Sequence, residues 1–342
     1  MDLRRALGVE LPVIQAPMAG AQLSALTIAV CGAGGLGSLP CALLDAAAIR
    51  REIAAIRAAT AQPFNLNFFC HRVPVADPAR EAAWRRALAP LHAEFGLDVD
   101  AVPAGAGRIP FDSASAALVE ELRPPVVSFH FGLPEEGLLE CVRASGARIF
   151  ASATTVEEAL WLEARGVDAV IAQGLEAGGH RGHFLSDDLT RQLGTFALVP
   201  QIVAAVRVPV IAAGGMADAA GVAAALRLGA SMVQAGTAYL RCPEATTSAI
   251  HRRALADASA RHTALTRLFT GRPARGIVNR LIREVPDALA PAFPLAATAI
   301  APLRAAAEAK GSGDFSPLWS GQNASGCREL PAAEITRGLA GA

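Results

Sequence analysis

The chain has 342 residues, 52% of them hydrophobic and only 5% aromatic, with 31 basic side chains balanced by 31 acidic ones. That length exceeds the ~250 residues of a bare α/β barrel, and the balanced charge leaves no basic patch for nucleic acid or an anionic membrane surface. Few aromatics also means few platforms for stacking bases.

Short apolar runs alternate with helical runs along the sequence. Residues 11–15 (LPVIQ) read as a first strand, followed by the loop 16–20 (APMAG) and a helix to about Cys31. A short second strand is expected at 34–38, a helix at 45–59 and a third strand at 64–68 (FNLNF). Residues 77–95 read as a helix, and the Gly- and Pro-rich stretch 96–112 as a loop. A short helix at 114–122 leads to the fourth strand at 126–129. The second half is more regular, with strands at 148–151, 167–172, 208–212 and 231–235, and helices at 155–165, 198–206 and 218–228 between them. Thr154 or Thr155 suits an N-cap, while Gly166 and Gly229 close helices.

Strands that are apolar throughout are covered on both faces, as in parallel sheets. Eight such units in series predict a TIM-type (β/α)₈ barrel over residues 1–242, with an open doubly wound sheet as the alternative. Residues 243–310 read as helices only, with loops at 270–276 and 285–294, and are expected to form a helical cap over the barrel mouth. Phe315, Leu318 and Trp319 should dock the tail, 311–342, back onto the domain. The glycines of 32–37 (GAGGLG) surround a strand instead of opening a helix after one, so they match a dinucleotide loop poorly.

No apolar run reaches the ~18 residues of a membrane span, and Glu10 interrupts the short apolar stretch behind the N-terminal arginines, unlike a secretion signal. The six cysteines are scattered without ligand spacing. A cytoplasmic protein with reduced thiols is expected.

Barrel enzymes carry their chemistry at the C-terminal strand ends. Gln15, Met18, Asn67, His130, Ser152, Gln173, Glu176, His180, Gly214, Gly215, Gln234, Gly236 and Thr237 stand there. Glu176 is the only carboxylate among them, which argues against a metal site or a glycosidase pair. The one lysine, Lys310, lies in a polar stretch and argues against imine chemistry. What remains is a ring of neutral amides (Gln15, Asn67, Gln173, Gln234), able to donate and accept against a flat heterocycle such as a flavin. The glycines after the seventh and eighth strands, with a helix N-terminus, suit a phosphate. His180 lies in a loop with four glycines in nine residues and is the candidate acid or base. His130 is a second histidine facing the mouth.

Seven segments in order, 15–20 (QAPMAG), 64–71 (FNLNFFCH), 128–132 (SFHFG), 173–182 (QGLEAGGHRG), 212–215 (AAGG), 234–237 (QAGT) and 319–322 (WSGQ), make the chain resemble the nitronate monooxygenases. The resemblance implies FMN held without a covalent bond by Met18, Asn67, Gln173, Gly178, Gly214, Gly215, Gln234, Ala235, Gly236 and Thr237, joined by Gln322. It implies His180 as the catalytic group, with His130 and His71 toward the substrate. The implied reaction is oxidation of an alkyl nitronate, such as propionate 3-nitronate, by O₂ to a carbonyl compound and nitrite. The EAGGH loop is shared with FMN-dependent enoyl-acyl-carrier-protein reductases and a NAD(P)H:quinone reductase, which stand as alternatives, as does a flavin-binding sensor. The resemblance is silent on oligomeric state.

Overall fold

Eight parallel strands wrap around a filled interior in the computed structural model, which describes residues 2–75, 77–102 and 108–342. They are β1 (Val13–Gln15), β2 (Gly37–Pro40), β3 (Phe64–Phe69), β4 (Val126–His130), β5 (Arg148–Ala153), β6 (Ala169–Gln173), β8 (Val210–Ala213) and β9 (Met232–Ala235). Their order is β1-β9-β8-β6-β5-β4-β3-β2, and an Ile14–Leu36 bridge brings the first and second strands together. The barrel expected from the sequence is therefore present. Residues 103–107 of the expected 96–112 loop lie outside the described residues.

Side chains alternate across each strand. Inward residues Ile14, Leu36, Phe150, Ile171, Ile211 and Met232 form a central core, against which Leu3 and Val9 also pack. Outward residues such as Val13, Leu39, Val127, Ala151 and Val233 meet the surrounding helices. Those helices begin where a short polar side chain can satisfy a free N–H. Asp45, Asp112, Thr155 and Asp218 cap the helices Ala46–Ala59, Ser113–Leu122, Val156–Glu163 and Ala219–Arg227. The Gly32–Gly37 stretch serves packing: a Cβ on Gly37 would lie 2.3 Å from the Thr27 carbonyl oxygen.

The cap differs from the expectation of helices only. Residues 243–310 contain two antiparallel strands, β10 (Thr263–Thr266) and β11 (Ala274–Ile277). The second of them pairs with β7 (Gly179–His180), a two-residue strand from the barrel's own glycine-rich loop. Part of the expected 270–276 loop is thus sheet. The apolar pattern of these strands is too short to separate from that of a buried helix.

The cap is also composite. Trp84, Leu88 and Leu91 of helix Pro78–Glu94 share one core with Leu268, Phe269, Leu281, Ile300, Leu303 and Phe315. The Trp84 indole N–H donates to the Ala296 carbonyl at 3.3 Å. The excursion after β3 therefore belongs to the same layer as residues late in the chain. Phe315 and Leu318 are buried, and a C-terminal helix, Ala332–Ala340, lies against the barrel.

Candidate active site

The C-terminal ends of the barrel strands and the cap enclose a cavity of about 360 Å³, within the size range of cofactor and ligand sites. Of the four neutral amides, Asn67, Gln173 and Gln234 line it and Gln15 does not. Gln15 is fully buried, and its amide is consumed by Gln22 (2.6 and 3.2 Å) and the Ser38 N–H (3.1 Å). It braces the first loop and adds nothing to the cavity wall.

The remaining amides have different duties. Asn67 donates to the Ser128 hydroxyl at 3.0 Å and carbonyl at 3.2 Å, which leaves its own oxygen available. Gln173 is occupied at both ends. It donates to the His180 carbonyl at 3.0 Å and accepts from the Gly182 N–H at 2.8 Å. The Gln234 amide has no protein partner among the described residues and lines the cavity directly.

The loops after β8 and β9 present an array of free donors. The N–H groups of Gly214, Gly215, Met216 and Gly236 find no acceptor among the described residues. Gly214 and Gly215 have φ of 115° and 79°, a region only glycine enters freely. A Cβ on Gly214 would sit 2.8 Å from the Thr195 hydroxyl. All four residues line the cavity, and free backbone donors in such a place suit an anionic oxygen cluster. In the helix that follows, Ala219–Arg227, Asp218 accepts from the Gly221 N–H at 2.8 Å and so satisfies one of the free N–H groups of its first turn. Gly178 also lines the wall, where a Cβ would meet the Gly321 nitrogen at 2.5 Å.

His180 stands on β7 with its ring in an aromatic enclosure of Phe293 and Trp319, each 5.5 Å away between centroids, and Phe131 at 6.0 Å. Burial, then Arg108, His130, Arg272 and His71, hold its pKa well below the ordinary imidazole value, so the ring is neutral at pH 7. Its Nε2 lies 2.9 Å from the Thr270 hydroxyl. Its backbone carbonyl is gripped by Gln173 and by His130 Nε2 at 3.1 Å.

A carbonyl only accepts, so His130 carries its proton on Nε2. Its Nδ1 then accepts from the Ser152 hydroxyl at 2.9 Å. Burial lowers the His130 pKa to about 3. His130 lines the cavity, but both its nitrogens are spent, one on the loop carbonyl of His180 and the other on Ser152 of β5. The ring still faces the cavity, as the sequence led us to expect of a histidine at the barrel mouth. The next residues, Phe131 and Gly132, turn with φ of 72° and 89°. A non-glycine residue there costs on the order of 1–3 kcal/mol, a strain typical of functional sites.

Two expected contacts lie away from the cavity wall. His71 is buried behind it, its Nε2 donating to the Arg108 carbonyl at 2.9 Å and its ring against Phe293. Gln322 is solvent-exposed, and its backbone N–H donates to the Glu176 carbonyl at 2.9 Å. The neighbours Gly321 and Asn323 line the cavity instead. The Gly321 N–H donates to Thr237 Oγ1 at 2.9 Å, tying the tail to the loop after β9. Glu176 accepts from the Thr195 N–H (2.8 and 3.0 Å) and hydroxyl (2.8 Å), capping helix Thr195–Ala205.

Sequence reasoning missed Phe69, Arg108, His251, Arg304 and Trp319 on the cavity wall. Phe69 and Trp319 fall inside two of the resembling segments without being singled out there, and Arg108, His251 and Arg304 come in from distant segments with no local pattern. Arg108 and Arg304 are the cavity's charged side chains, and no carboxylate lines it among the described residues. Two cations, one of them (Arg304) also paired with Glu308 at 2.7 Å, and no lining carboxylate favour an anionic occupant.

Among the described residues no group of three or more His, Cys, Asp or Glu could hold a metal ion, and no helix is long and apolar enough to cross a membrane. Residues 2–340 match the family model for nitronate monooxygenase. The chain is 46% identical to a nitronate monooxygenase of Pseudomonas aeruginosa, over 98% of this chain and 97% of that one. It is 45% identical to a nitronate monooxygenase of Paraburkholderia phytofirmans, over 97% and 92%. Its structure overlays a nitroalkane oxidase from Streptomyces ansochromogenes with a TM-score of 0.91 at 39% identity, covering 100% of this chain and 97% of that one. A closed parallel barrel, a cationic cavity at its mouth and full-length similarity agree: the chain belongs to the nitronate monooxygenase family, and is an oxidoreductase that oxidises nitronates.

Proposed function

We propose that the cavity holds FMN and that the protein oxidises alkyl nitronates with O₂, giving a carbonyl compound and nitrite. The observation that carries this reading is the set of unpaired N–H groups on Gly214, Gly215, Met216 and Gly236, in the same cavity as His180 and two arginines. A phosphate fits the glycine donors without a side-chain cation, as at other backbone nests. Met18, Asn67, Gln173, Gly178 and the run Gln234, Ala235, Gly236 and Thr237 would surround the rest of the group. Of these, Gln234 and the Asn67 oxygen have unfilled hydrogen-bonding capacity toward a heterocycle edge. FMN, when bound, supplies the redox chemistry that no amino-acid side chain offers.

The chain's own residues then bind, orient and dry the substrate. Arg108 and Arg304 balance the charge of a nitronate such as propionate 3-nitronate. Phe69, Trp319 and the neighbouring aromatic rings exclude water from the reacting carbon. For a neutral nitroalkane, the unprotonated His180 ring takes the proton from the carbon next to the nitro group. A substrate supplied already as the nitronate needs no such step.

The test is direct. The purified protein should be yellow, release its pigment on heating, and liberate nitrite from propionate 3-nitronate under air. A colourless protein that takes up no added FMN would end this reading. Strong NADH oxidation with a quinone and no nitrite would replace it with the reductase alternative.

A further inference from the structure

We infer that Thr270, a residue of the cap, is the positioning residue that sets the tautomer of His180. This inference rests on the reading of His180 as the base for neutral nitroalkanes. Thr270 Oγ1 lies 2.9 Å from His180 Nε2 and also donates toward the Arg272 carbonyl at 3.5 Å. The Arg272 carbonyl can only accept, and this long contact is the one other place open to the threonine proton; we assign the proton there. The hydroxyl oxygen is then left to accept from Nε2–H. This order puts the ring proton on Nε2 and the lone pair on Nδ1, which has no protein partner among the described residues. Nδ1 is therefore the atom that receives the substrate proton: the C–H bond breaks, the N–H bond forms, and the electron pair stays on the substrate as the nitronate.

Many histidine bases have their second nitrogen held by a carboxylate or a backbone carbonyl. His180 has neither on its ring among the described residues; the threonine hydroxyl takes that place. The hydroxyl is held firmly. Thr270 is buried, and the preceding Leu268 and Phe269 are anchored in the cap core. Its N–H bonds to the Arg267 carbonyl at 3.2 Å. Gly271, with φ of 92°, lies so close to the segment at Pro291 that a Cβ would come within 2.3 Å of the Pro291 carbonyl oxygen. Segment 270–275 is also joined to the histidine strand by backbone: the Arg181 N–H donates to the Pro273 carbonyl at 2.8 Å, and Ala274 pairs with His180. The cap thus does more than cover the barrel. It fixes the chemical state of the base beneath it.

Thr270→Val keeps the shape and removes the hydroxyl, while Thr270→Ser keeps the hydroxyl. The holoenzyme of each should be assayed with a neutral nitroalkane and with its preformed nitronate. Thr270→Val should lose roughly tenfold in kcat/KM on the nitroalkane, about one hydrogen bond's worth. It should stay within about twofold of the parent on the nitronate, and Thr270→Ser within about twofold on both. Nitrogen NMR of ¹⁵N-histidine-labelled protein should show His180 protonated on Nε2 in the parent and in Thr270→Ser, with a mixture of tautomers in Thr270→Val. A parent ring protonated on Nδ1, or equal losses on both substrates, would overturn the inference. So would a Thr270→Val enzyme with unchanged nitroalkane turnover, provided that His180→Asn is impaired there. If His180→Asn itself turns over nitroalkanes normally, the base assignment fails first and this inference falls with it.

Discussion

His180 is placed by its neighbours more than by its own sequence context. Gln173 and His130 hold its carbonyl, Thr270 meets its ring, and aromatic faces shield it. Burial and nearby arginines keep its pKa well below the ordinary value. Because the ring is neutral above that lowered pKa, turnover of a neutral nitroalkane should not fall as pH drops through about 6.5, where an unperturbed histidine would lose its base form. The loss should come only at lower pH, as seen in a kcat/KM profile. His180→Asn should reduce nitroalkane turnover on the order of 10²-fold or more and spare the preformed nitronate. Equal loss on both substrates would deny it a role as base. The glycine-rich loop was legible as functional from composition. The spent nitrogens of His130 and the retreat of His71 behind Phe293 were not, since both depend on partners far away in the chain.

At the scale of elements, the loop after β6 is secured from three directions. Its Glu176 side chain caps helix Thr195–Ala205, its backbone accepts from Gln322, and its strand β7 joins the cap sheet. Gly194, the residue before this helix, has no side chain to serve as a cap, so the carboxylate arrives from 19 residues upstream. Glu176→Ala should therefore cost about 1–2 kcal/mol, the usual range for losing a cap. Urea unfolding with an unchanged slope and a lower midpoint would measure it. A midpoint within error of the parent would show that the carboxylate contributes nothing. Barrel strands and most helix starts could be read from the sequence because apolar runs and capping residues are local signals. The strands β10 and β11 could not, because a four-residue run becomes sheet only when a partner edge lies beside it.

Across the molecule, several partly or wholly buried histidines are held in the neutral form. His130 and His251 have pKa values lowered to about 3 and about 4, and those of His71 and His180 are also lowered, in each case mainly by burial. Their folded values lie below that of an unfolded histidine, so the unfolded chain binds more protons in between. The stability they contribute is complete above about pH 6.5 and is lost as pH falls toward the folded values, with each histidine costing up to about 1.4 kcal/mol per pH unit. The urea midpoint should fall steadily from about pH 6.5 to about pH 4. A midpoint that stays level between about pH 7.5 and about pH 5 would contradict this. The same burial joins the two layers, since the cap places His251 and Trp319 beside the barrel's own loops: His251 Nε2 donates to the Trp319 carbonyl at 3.0 Å.

The sequence by itself determined the barrel, its strand ends, the glycines after β8 and β9, and the family. Each is written in short-range pattern: apolar runs, capping residues and motifs a few residues long. Only the tertiary structure decided which amides face the cavity, that both nitrogens of His130 are spent, that helix Pro78–Glu94 belongs to the cap, and that Thr270 meets His180. These depend on contacts between segments up to 212 residues apart, as between Trp84 and Ala296, and no local pattern encodes such a meeting.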